Sequence, residues 1–111
     1  RAKEKAEAEK LISDAKILEK TGCFAIVLEK IPANLAKKVS KILKIPVIGI
    51  GAGSSVDGQV LVLHDMLGMN TEFSPRFIRR YMNLHNDMTQ AIKKFISDVK
   101  KVDFPNNKEQ Y

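Results

Sequence analysis

The chain has a single cysteine, Cys23, in 111 residues, so it can build neither an intrachain disulfide nor a multi-cysteine metal site. Its longest apolar runs are about six residues, far short of the ~20 that cross a bilayer, and no signal-peptide pattern precedes them. Aromatic residues make up only 6%, and none interleaves with the lysines to stack on bases. Cations are in excess, 19 Lys and Arg against 13 acids for a net charge of +6. They alternate with glutamates, as in Lys3, Glu4, Lys5, Glu7, Glu9 and Lys10, which is the pattern of a solvated helix face. The expectation is a soluble protein of a reducing, cytoplasmic setting with no membrane and no nucleic-acid partner. Methionine is absent before Met66, so a chain that begins at Arg1 is expected to be a piece of a longer one.

What is present is an alternation of helical and strand patterns in a length that commonly supports one core. Residues 1–21 carry Ala8, Leu11, Ile12, Ala15 and Leu18 at helical spacing, with Gly22 placed to stop the helix. Residues 23–28 are continuously apolar and predict a short strand covered on both faces. Pro32 suits a first helical turn, and Leu35, Ala36, Val39, Ile42 and Leu43 repeat behind it. A second strand is expected over 45–50, a loop over 51–59 and a third strand over 60–63. Ser74-Pro75 reads as a cap opening a helix over 76–82, and 86–102 as a longer helix presenting Met88, Ala91, Ile92, Phe95 and Val99. Residues 103–111 are expected to be irregular. The order is helix, strand, helix, strand, strand, helix, helix, an α/β chain without repeats or low-complexity linkers. Three buried parallel strands cannot cover their own edges, so further strands are expected upstream.

The polar residues that invite chemistry stand at the strand ends. Ile26-Val27-Leu28-Glu29-Lys30-Ile31-Pro32 finishes an apolar run in a carboxylate. Ile45-Pro46-Val47-Ile48-Gly49-Ile50-Gly51-Ala52-Gly53 finishes another in glycines, and Asp57-Gly58-Gln59-Val60-Leu61-Val62-Leu63-His64-Asp65 supplies a third. Such ends form the rim of a parallel barrel. The glycines fail as a dinucleotide fingerprint, because Ser54 occupies the third glycine position and no long helix follows. Gly51 and Gly53 instead read as pocket-shaping, with Ile50 and Val60 as apolar neighbours of a substrate; a tight turn of no chemical consequence fits them equally.

Glu29 reads either as a general base or as a surface glutamate at a helix N-terminus. His64 and Asp65, adjacent on a strand, would point to opposite faces and could not pair; structural roles are expected for both. Asp57, Asp65 and Glu72 stand singly and make no metal set. Arg76, Arg79 and Arg80 recur at helical spacing and are expected to face solvent or another subunit, and His85 is expected to be exposed. The methionines Met66, Met69, Met82 and Met88 read as core or interface filler.

Over residues 11–105 these three motifs, in this order, resemble the ketopantoate hydroxymethyltransferase family. The resemblance implies a (β/α)8 barrel of roughly 250 residues. Residues 1–105 would be its C-terminal segment, about three strands with their helices, and 106–111 a tail. It implies hydroxymethyl transfer from 5,10-methylenetetrahydrofolate to 3-methyl-2-oxobutanoate, giving 2-dehydropantoate, by a homo-oligomer in which Mg2+ holds the keto acid. Glu29 falls on the family's proton acceptor. The family's magnesium ligands lie on earlier strands whose motifs do not occur here, so this chain is expected to hold no metal and to be inactive alone. Two other readings stay open: a basic α/β module for an acidic partner, and a related keto-acid barrel lyase.

Overall fold

The computed structural model describes residues 2–111, which divide into two compact units, the first running to Leu61 and the second Val62–Tyr111. The first holds helix α1 (Lys5–Lys20), strand β1 (Ile26–Glu29), helix α2 (Ala33–Ile42) and strands β2 (Val47–Ile50) and β3 (Gly58–Gln59). The second holds a single turn, α3 (Leu63–Met66), and the long helix α4 (Leu84–Lys100). The expected order holds through the second strand and for the last helix, while the third strand is displaced and the helix expected over 76–82 is not formed.

In the first unit, α1 buries Ala15 and packs Leu11 and Ile12 against the core, while Leu18 is exposed. The helix ends where the Thr21 hydroxyl donates to the carbonyls of Ile17 and Leu18, followed by Gly22 at φ +103°. The strands form one parallel sheet in the order β1-β2-β3. Ile26, Leu28 and Val47 are buried and join Ile31, Ala36, Val39, Leu43 and Ala52 in a core of mostly small side chains.

The opposite sheet face is open. Val27, 62% exposed, lies beside Ile48, and Glu29 beside Ile50. The expectation that the first strand is covered on both faces is therefore not met within this chain. That strand also starts later than expected: the Cys23 N–H closes onto Leu18 O at the end of α1, and Phe24 is 90% exposed.

Two carboxylates hold the entrance to β2. Glu19 Oε2 accepts from the N–H groups of Lys44 (2.6 Å) and Ile45 (3.0 Å). Asp57 Oδ2 accepts from Val47 N–H at 2.8 Å and from the Ser40 hydroxyl at 3.2 Å, while Asp57 N–H donates to Val47 O at 3.0 Å. Each carboxylate thus satisfies backbone donors from a distant part of the chain.

The third strand is Gly58–Gln59, not residues 60–63. Gly58 pairs with Ile48, and a Cβ there would stand 2.9 Å from Ile48 Cδ1, so the sheet continues through a residue without a side chain. Val60, Val62 and Leu63 have the β-rich composition but stand exposed beyond the pairing.

In the second unit, the helix expected over 76–82 is an irregular segment containing one turn. Its backbone donors go elsewhere: Tyr81 N–H to Met66 O, and just beyond it Leu84 N–H to Leu67 O and His85 N–H to Gly68 O. Those carbonyls belong to the end of α3, and bonds to them replace the i→i−4 ladder a helix would need. Helix α4 has no buried residue. Lys94 and Asp98 form an ion pair on it, in which the Asp98 hydrogen bond and charge raise the lysine's pKa. The tail past α4 is irregular, as expected, with Phe104 set edge-on to Phe95 at 5.6 Å. Among the described residues no helix is long and apolar enough to cross a membrane.

The Asp57 clamp yields a stability prediction. Replacing Asp57 by Ala strands the Val47 N–H and should lower the unfolding free energy by about 1–3 kcal/mol. A denaturant midpoint that falls at unchanged slope is the expected reading.

Candidate functional site

Parallel pairing puts the C-terminal ends of all three strands at one edge of the sheet. Glu29 is the last residue of β1, exposed, and in register with Ile50, the last residue of β2. The next rung is the Lys30 N–H donating to Ile50 O at 2.9 Å. Val60, just past β3, donates its N–H to Gly49 O at 3.0 Å and is 46% exposed. Register therefore sets the carboxylate of Glu29 among apolar neighbours, with Ile50 across from it and Val27 two residues behind on the same face.

The loop after β2 carries Gly51 at φ +63° and Gly53 at φ +81°. Gln59 Nε2 donates to Gly53 O at 2.8 Å and closes the loop on itself. At Gly53 the demand for glycine is double, since the backbone is left-handed and a Cβ would stand 2.6 Å from Ala33 Cβ at the start of α2. The loop thus lies flat against the turn that leads out of β1.

Other candidates are placed elsewhere. His64 and Asp65 lie in α3 and not on a strand, so the opposite-faces reasoning does not apply to them. Asp65 is buried and His64 exposed; their carbonyls accept from Gly68 and Met69 N–H. His85 is exposed. Asp57 is engaged at the entrance of β2, and among the described residues no three His, Cys, Asp or Glu side chains gather as a metal set.

The arginine triplet does not share a helix face. Arg80 is exposed and bound to its own loop, Nη1 donating to the Ser74 hydroxyl and Nη2 to the carbonyls of Asn70 and Phe73. Arg79 lies over the Tyr81 ring at 6.0 Å. Arg80 also lines a recess of about 520 Å3 with Gly68, Thr71, Tyr81, Met82 and Asn83.

Two features of the site escaped the sequence. Glu19 and Asp57 act as backbone clamps, a role visible only once β2 is placed. Lys30 adopts φ +52°; the signal for it was present in the proline two residues on.

The arrangement is that of a parallel α/β unit with a carboxylate at a strand end, paired with Ile50 across the sheet. Residues 1–107 match the profile of the ketopantoate hydroxymethyltransferase family, and the chain belongs to that family. It is 70% identical over all 111 residues to the 3-methyl-2-oxobutanoate hydroxymethyltransferase of Flavobacterium johnsoniae. It is 68% identical to the enzyme of that name from Phocaeicola vulgatus and 67% to that of Porphyromonas gingivalis. In each case the whole chain is covered, and it spans 41% of the relative's length.

The Gly53 contact can be tested by a double-mutant cycle. Gly53→Ala should destabilise the protein by about 1–3 kcal/mol, from the left-handed backbone and the clash together. Adding Ala33→Gly removes the opposing methyl, so the double variant should recover part of that loss in thermal melting.

Proposed function

We propose that this chain forms the base-bearing wall of a 3-methyl-2-oxobutanoate hydroxymethyltransferase, with Glu29 as the proton acceptor. The observation that carries the reading is the position of Glu29: last in β1, in register with Ile50 and on the open sheet face, in a chain of this family. On this reading residues 1–105 are the C-terminal segment of a (β/α)8 barrel and 106–111 its tail. Supporting the barrel are the uncovered apolar residues Val27, Ile48 and Ile50 on a parallel sheet, a class of sheet normally covered on both faces. The relatives' greater length leaves room for the strands that would supply that cover.

The chemistry follows from the acidity of a ketone's neighbour. The carbon next to the carbonyl of 3-methyl-2-oxobutanoate holds its proton tightly, and removing it requires a base positioned within hydrogen-bond reach. Glu29 takes that proton, and the resulting carbanion forms a carbon–carbon bond to the one-carbon unit of 5,10-methylenetetrahydrofolate; overall both C–N bonds of that unit break, one water supplies the product's hydroxyl, and tetrahydrofolate leaves with a proton on each of the two freed nitrogens. Ile50 and Val60 line the apolar side of the substrate, and Gly51 and Gly53 keep the adjoining loop low. Mg2+ and its ligands belong to the part of the protein outside this chain. A homo-oligomer in a cytoplasmic setting completes the proposal.

Two outcomes test it. In the intact enzyme Glu29→Gln should lower turnover by about 10²–10⁴-fold, the usual worth of a general base, with circular dichroism unchanged; unaltered turnover refutes the assignment. The isolated 111-residue chain should show no turnover with magnesium, keto acid and folate donor supplied, and measurable product would overturn the division of labour.

A further inference from the structure

The recess of the second unit is framed by backbone. Tyr81, Leu84 and His85 donate their N–H groups to the carbonyls of Met66, Leu67 and Gly68, which ties the segment entering α4 to the segment leaving α3. Gly68, at φ +69°, lets the two lie in contact, since a Cβ there would collide with Met82 O. Arg80 braces a third side, its guanidinium donating to the Ser74 hydroxyl and to the carbonyls of Asn70 and Phe73. The space between them, about 520 Å3, falls within the ~300–1,000 Å3 of small-molecule pockets.

The lining sets the sign of what can enter. It consists of Gly68, Thr71, Arg80, Tyr81, Met82 and Asn83 and contains no acid. Residues 66–83 carry Arg76, Arg79 and Arg80 against the single acid Glu72. All three acceptors on Arg80 are neutral, and among the described residues no carboxylate pairs with it. They hold the guanidinium in place without cancelling its charge. Three of its five N–H groups are taken, which leaves two. Beside it the side chains of Thr71 and Asn83 have no protein partner among the described residues. The Tyr81 hydroxyl receives the Arg79 guanidinium at 3.5 Å, which leaves its own hydrogen to donate. A braced cation among neutral donors suits a phosphate, whose three terminal oxygens accept from several donors at once and match the flat guanidinium. A carboxylate, with two oxygens, would use fewer of them. Arg80 and Asn83 are exposed, so a ligand reaches them from solvent. We propose that this recess binds the phosphate group of a small molecule, with Arg80 as the charged anchor and Thr71, Tyr81 and Asn83 as neutral donors.

The test is a calorimetric titration of the intact enzyme with inorganic phosphate, at constant ionic strength and without magnesium, which would itself bind phosphate. Arg80→Gln removes the anchor, while Asn83→Asp places a negative charge in the lining. Aspartate caps a helix as well as asparagine does, so the second variant keeps its fold even if loss of the Arg80 brace unfolds the first. The expected result is saturable binding by the unaltered enzyme, weakened about tenfold or more in both variants, with acetate also about tenfold or more weaker than phosphate. Absence of saturable phosphate binding overturns the proposal. So does an Asn83→Asp or a folded Arg80→Gln variant that binds as tightly as the unaltered enzyme, which would place the phosphate elsewhere on the molecule. Acetate bound as tightly as phosphate overturns the choice of ligand.

Discussion

The parallel pairing of Ile26–Glu29 with Val47–Ile50 is the constraint on which the rest of the first unit depends. Side chains alternate along a strand, so a slip of one residue would exchange the two faces completely. Ile26 and Leu28 would leave the core, and Glu29 would be driven toward the helices that cover it. The register is held by more than ladder bonds. Glu19 and Asp57 grip the backbone donors at the entrance of β2, hydrogen bonds to ionised groups being worth about 1.5–3 kcal/mol each. At the other end Lys30 N–H locks onto Ile50 O. The position of one carboxylate is thus fixed by backbone bonds along the length of its strand pair.

These clamps also explain why so small a core suffices to order the sheet. Val39 and Val47 are its largest fully buried side chains, and neither offers much apolar area. Carboxylates that reach back to the strand from α1 and from the loop before β3 supply specificity that packing alone would leave weak.

Legibility in the sequence followed the range of the signal. Helices α1, α2 and α4 could be read because their apolar residues recur every three to four positions, a local property. Glu29 could be placed at a strand end because an apolar run stops there. The third strand could not: Gly58-Gln59 has no strand character of its own and is recruited by what Ile48 and Gly49 need opposite them. Val60 through Leu63 carried the stronger local pattern, yet pairing stops after the single bond from Val60 N–H to Gly49 O. Residues 76–82 failed for a related reason. Ser74-Pro75 is a sound cap, yet Tyr81 spends its N–H on the carbonyl of Met66, and the following Leu84 and His85 spend theirs on Leu67 and Gly68, a tertiary choice that no local propensity encodes. The three arginines are exposed, as expected, but not on a helix face, since Arg80 brackets its own loop. Lys30 is the intermediate case, because the proline at 32 restricts Ile31 and leaves the turn to it.

The composition of the open face bears on what can cover it. If Val27, Ile48 and Ile50 were met by close-packed side chains alone, Glu29 would be sealed beside them as a charge without a partner, at a cost of several kcal/mol. A cover that leaves a cavity over Glu29 avoids that cost, because water, substrate or a polar group can meet the carboxylate there. Gly51 and Gly53 favour the same outcome from the side. The loop they form folds against Ala33, leaving no bulky side chain at those two positions to fill the space above the strand ends. An apolar wall with one carboxylate on its rim would make a poor core. It suits the lining of a cleft, where apolar walls exclude water while the carboxylate stays accessible, the condition that the proposed proton abstraction imposes.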